Sequence, residues 1–126
     1  MSADKRVTRQ ELEMIRDYIV LPLMMDVVER NKRQIQFSTN SLKALYVAAA
    51  DRLMDMIQKD HVALKKKLKE REIKVWESEQ SSPTSLRHEY KCRGYHEHFH
   101  LLHEVAKTQI SVQLGQYISK VFKKLE

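Results

Sequence analysis

Leu12, Ile15, Ile19, Leu23 and Val27 recur at steps of three and four residues, the spacing that lines one face of an α-helix. The stripe predicts a first helix running to about Arg33. Ahead of it, Thr8-Arg9-Gln10-Glu11 has the spacing of a capping box, in which the threonine caps the amide of Glu11 and the carboxylate reaches back. Pro22 falls inside the stripe. Proline supplies no N–H and its ring meets the carbonyl four residues back, at Tyr18, so the helix should kink near residues 18–22, as the unbroken phase of the stripe favours, or restart with Pro22 in its first turn.

Phe37-Ser38-Thr39-Asn40-Ser41 is a polar turn rich in capping residues, after which Leu42, Leu45, Ala49, Leu53, Met56, His61, Leu64 and Leu68 follow in helical phase. The second helix is therefore long, or it is two helices meeting near Asp60. Beyond Leu68 the period changes. Ile73, Val75 and Trp76 form a β-favouring run, and Leu86, His88, Tyr90 and Cys92 alternate with Arg87, Glu89, Lys91 and Arg93. Between the two runs, Gln80-Ser81-Ser82-Pro83-Thr84-Ser85 is a breaker cluster suited to a hairpin loop. Gly94 ends the second run. From near Tyr95, the residues Phe99, Leu102, Ala106, Ile110, Leu114, Tyr117, Val121 and Leu125 predict a third long helix.

The expected fold is mainly α, of the α+β kind. It is one domain over residues 1–126, a bundle of three long helices, the first kinked at Pro22, with a β-hairpin at about 72–94 inserted between the second and third. The hairpin would cover one end of the bundle or pair across a dimer interface, because an isolated two-stranded hairpin is barely stable in water.

Composition agrees with helices. Of 126 residues only two are glycine and two proline, while 42% are hydrophobic and 32% charged. No apolar run approaches the roughly 20 residues that span a bilayer, and no signal-peptide core follows the charged segment Met1–Arg9, so a cytoplasmic protein with no membrane partner is expected. The single cysteine, Cys92, excludes an internal disulfide, and its place in the alternating run points to the buried side of a strand. With glycine only at 94 and 115, no glycine-rich phosphate loop can form, and there is no Gly-x-Ser-x-Gly elbow or His-Glu-x-x-His motif. A non-enzymatic protein is the expectation.

Charge brings in a candidate surface. Between Lys59 and Lys74 lie seven cations (Lys59, Lys65, Lys66, Lys67, Lys69, Arg71, Lys74) and three acids (Asp60, Glu70, Glu72), a net +4 within an overall +6. On a helix burying Leu64 and Leu68, the lysines spread over the exposed side. A nucleic-acid interface would use Lys65, Lys66, Lys67, Lys69 and Arg71 with Arg87, Lys91 and Arg93 of the hairpin. The competing reading is a solvated helix surface that keeps the protein soluble.

Five of the six histidines fall between residues 88 and 103. If a helix starts near Tyr95, His96, His100 and His103 share one face at i, i+4 and i+7 and could hold zinc; otherwise they sit at the polar edge of the helix. Met14, Met24, Met25, Met54 and Met56 on the first two helices fill core gaps or form an adaptable protein-binding surface. Three helices this long leave a surplus apolar edge, which points to a homo-oligomer. Together these features favour a small regulatory or adaptor protein that binds another protein and itself. Nucleic-acid binding is the alternative, and metal binding through the histidines the third.

Overall fold

The computed structural model describes residues 5–79, 82 and 84–123. Its elements are α1 (Arg9–Gln36), α2 (Lys43–Glu70), β1 (Ile73–Glu77), β2 (Ser85–Cys92), β3 (Tyr95–Leu102) and α3 (His103–Lys123). The strands form one antiparallel sheet in the order β1-β2-β3.

This corrects the expected fold. Two helices are followed by a three-stranded meander and then a third helix, rather than a bundle interrupted by a single hairpin. The cause is local. Arg93 (φ 48°) and Gly94 (φ 97°) are both left-handed, and two such residues in succession make the tight turn whose twist matches a hairpin. Glycine takes that conformation without the Cβ clash other residues meet. The chain therefore doubles back along β2 instead of entering a helix, with Cys92 opposite Tyr95 and Leu86 opposite Leu101. Phe99 and Leu101, two residues apart, face the core as strand neighbours. Helix α3 begins eight residues later than the apolar steps suggested, and Leu125, Gln80, Ser81 and Pro83 lie outside the described residues.

The capping box of α1 forms as the sequence implies, with the Thr8 hydroxyl accepting from the Glu11 amide at 3.1 Å and Glu11 Oε1 accepting from the Thr8 amide at 3.0 Å. Helix α1 is continuous through Pro22, and α2 is one helix rather than two. The core is built around α1, which buries Ile15, Ile19, Val20, Leu21, Met24 and Val28. Against it pack Ala50, Ile57 and Leu68 of α2, and Ile73, Tyr90, Cys92 and Leu101 from the inner face of the sheet. From α3 only Ala106 and Tyr117 are buried, so this helix lies at the margin of the core. The Tyr117 hydroxyl donates to the Asp60 carboxylate and ties α3 to α2. Burial and that carboxylate push the phenol above its ordinary range.

Candidate anion-binding cleft

A buried ionic node fixes the corner where the sheet meets the helices. Glu11 is 2% exposed, and its two oxygens accept from Arg93 Nη2 at 2.8 Å and Nη1 at 3.0 Å, with Arg71 Nη1 at 3.5 Å. The Arg93 guanidinium also donates to the carbonyls of Lys5 (3.2 Å), Arg6 (3.0 Å) and Arg71 (2.9 Å). One side chain in the β2–β3 turn thereby joins the start of α1 to the end of α2. Its bidentate grip, partly opposed by burial, holds the Glu11 carboxyl down at about 2.

Beside this node opens a cleft of about 920 Å³. Its apolar floor is Tyr18 of α1, Leu68 of α2 and Ile73 and Val75 of β1. Its rim carries Lys5, Lys65, Lys69, Lys74, Lys91 and Arg93, with Glu72 as the one acid. Two geometries put the lysines there. Lys65 and Lys69 are four residues apart and so share one side of α2. Lys74 and Lys91 are directly opposite one another across the β1–β2 ladder, an arrangement that destabilises a sheet by a few tenths of a kcal/mol to about 1 kcal/mol. All four ammonium groups are exposed, and among the described residues none makes an ion pair.

Lys74 and Lys91 of the rim stand on the outer face of the sheet. There the register sets Trp76 beside Glu89 and Glu89 beside His98, with Lys91 opposite His96 and Arg87 opposite His100. Trp76 Nε1 donates to Glu89 Oε2 at 3.2 Å, and the Trp76 and His96 rings meet at 5.3 Å between centroids. On the other side of Tyr18 a smaller cleft of about 360 Å³ is walled by Pro22, His61, Val75, Trp76 and His88. Burial lowers the pKa of both histidines, against which the Glu77 carboxylate, also on this wall, acts to raise that of His88.

The residues singled out from sequence separate into groups. Lys65, Lys69 and Lys91 meet at the cleft, whereas Lys66 and Lys67 are exposed on α2 outside its lining. Arg71 and Arg93 are engaged by Glu11, and Arg87 stands on the outer sheet face. Lys5, Tyr18, Lys74 and Trp76 complete the surface and were not among the sequence candidates. The signal for Lys74 and Trp76 was their alternation with Ile73 and Val75, which puts both on the solvent side of β1.

The histidine trio does not assemble. His96 and His100 are four residues apart on a strand, about 13 Å at strand rise, rather than one helical turn apart, and His103 belongs to α3. Among the described residues no group of three His, Cys, Asp or Glu side chains is placed to hold a metal ion. Cys92 is fully buried and its thiol is pushed up by that burial, which makes it a core residue and a poor nucleophile.

The fold and cleft describe an α+β protein with one concave basic surface and, among its described residues, no helix long and apolar enough to cross a membrane. The model of the YhjD family, described as YhjD protein, matches residues 6–122, and the chain belongs to that family. No curated protein and no solved structure matches it.

Proposed function

We propose that this protein is a cytoplasmic, non-enzymatic nucleic-acid-binding protein that holds a single strand along the basic cleft and the outer face of its sheet. The observation that carries the reading is the unpaired set Lys65, Lys69, Lys74 and Lys91 around an apolar floor. Two of these lysines face each other at a cost to the sheet, and a bound polyanion removes that repulsion. Tyr18 and Trp76 offer ring faces on which exposed bases can stack, which favours a single strand over a duplex whose bases are already stacked.

The test is a titration of the protein against single-stranded RNA, single-stranded DNA and duplex at low and near-physiological salt. Single strands should bind more tightly than duplex, and binding should weaken with salt and fall about a hundredfold in Lys74→Glu/Lys91→Glu while helical circular dichroism is unchanged. Absence of binding at low salt would remove this reading.

A second reading, a regulatory or adaptor protein that binds another protein, is supported by apolar side chains around the α1–α2 turn. Phe37 is 89% exposed, and Leu42, Leu45 and Tyr46 beside it are also exposed. Its test is a specific co-purifying protein that is lost in Phe37→Glu/Leu45→Glu.

A further inference from the structure

The sheet has two edges, β1 and β3, and among the described residues neither has a strand beside it. They differ in how far they are open. β1 is five residues long and lies against the end of α2, whereas β3 is eight residues long, and Tyr95, His96, Glu97, His98 and His100 on it are all exposed.

The Arg93–Gly94 turn determines which backbone groups of β3 face outward. Across a two-residue turn of this kind the closing pair, here Cys92 and Tyr95, exchanges both hydrogen bonds, and bonded pairs alternate from there. Tyr95, Glu97, Phe99 and Leu101 therefore bond to β2. The His103 amide, which donates to the Thr84 carbonyl at 3.1 Å, continues the same phase. That leaves the N–H and C=O groups of His96, His98 and His100 directed away from the sheet. Long natural edges are normally blunted by lysine, proline, a bulge or an inward charge; β3 contains no lysine, arginine or proline and pairs with β2 without a bulge, and Glu97 is its one acidic residue.

The surface of the chain is also larger than its size requires. A compact monomer of 15.0 kDa exposes about 7000 Å², and this chain exposes 9079 Å². A stable interface takes roughly 800 Å² per partner, and the surplus of roughly 2000 Å², counted over the whole chain, leaves room for one. Exposed apolar side chains on β3 and the helix that follows it include Leu102 at the end of the strand and Val105 and Val112 of α3.

We propose that β3 pairs antiparallel with β3 of a second copy about a two-fold axis, joining two three-stranded sheets into one of six strands. The same outward groups are presented by both copies, which is what a two-fold interface requires, and antiparallel pairing is the direction that axis imposes. Leu102, Val105 and Val112 supply the apolar area that backbone pairing alone lacks. This inference goes beyond the proposed ligand and does not depend on it.

Sedimentation equilibrium of the full chain over a wide concentration range tests it, with a mass of twice 15.0 kDa expected. His98→Pro removes an outward N–H while leaving the ladder to β2 intact, and should weaken the dimer by about tenfold or more with unchanged circular dichroism. Should that variant fail to fold, His98→Lys/His100→Lys decides, since both side chains are exposed and charge repels at a paired edge. A mass of 15.0 kDa at every concentration overturns the proposal, as does a dimer equally tight in a folded edge variant.

Discussion

Arg93 and Lys91 are two residues apart, both cationic and both on the wall of the same cleft, yet they do opposite things. The Arg93 guanidinium is committed to buried Glu11 and three backbone carbonyls. Lys91 faces Lys74 across the ladder with no carboxylate to meet. The pleat alone would put two residues so spaced on one side, but Lys91 lies within β2, on its outer face, whereas Arg93 follows the strand's end in a left-handed conformation, and the turn carries its side chain to the helix ends. A count of positive charges therefore does not locate a binding surface. What distinguishes the two regions is whether the protein supplies the counter-charge itself.

The largest effect that sharpens this contrast is expected at the node. Glu11→Ala removes half of the capping box and leaves Arg93 and Arg71 without their shared partner, so urea unfolding should show a loss of about 3–5 kcal/mol. Acid makes the same break without mutation. Because the folded-state pKa of Glu11 is lowered from 4.5 to about 2, its contribution is fully present above about 4.5 and is lost as pH falls through that window. The integrated loss is about 3 kcal/mol, and it should be missing from the pH–stability profile of Glu11→Ala.

Charge reversal on the lysine side should do the converse. Lys74→Glu/Lys91→Glu is expected to reduce single-strand affinity about a hundredfold while changing stability by no more than about 0.5 kcal/mol. A matching drop in stability would mean that the lysines are structural after all and would erase the contrast. The smallest effect is at the lip between the regions. Glu72 has φ 59°, a conformation that costs a residue with a Cβ, so Glu72→Gly should stabilise the protein by about 0.5–1 kcal/mol. It also deletes the one acid lining the cleft, and should tighten binding modestly.

Sequence made some of this legible. Thr8 and Glu11 announce a helix start because a capping box is a three-residue relationship, whereas the arginine that completes the node is 82 residues away from Glu11. The basic run pointed to α2, but which of its lysines meet Lys91 depends on how β1 leaves the helix, and Lys66 and Lys67 turn elsewhere. The third strand was hidden because Phe99, Leu102 and Ala106 fit helical steps as readily as Phe99 and Leu101 fit a strand. Histidine at 96, 98 and 100 carries no strong preference to decide between them. The decisive signal was the turn. Arg-Gly after an alternating run accepts two left-handed residues in succession, and reading Gly94 only as a stop placed the histidines on a helix they do not occupy.

The proposed function makes the unpaired lysines, rather than basicity in general, the working surface. It is tested most directly by the salt dependence of single-strand binding in three proteins: the wild type, Lys65→Ala/Lys69→Ala/Lys74→Ala/Lys91→Ala, and Lys66→Ala/Lys67→Ala as the control. Four phosphate contacts predict that log affinity against log salt falls with a slope of about −3 in the wild type and the control, approaching zero in the quadruple variant. Equal slopes in the quadruple variant and the control, or no binding by the wild type at low salt, would contradict it.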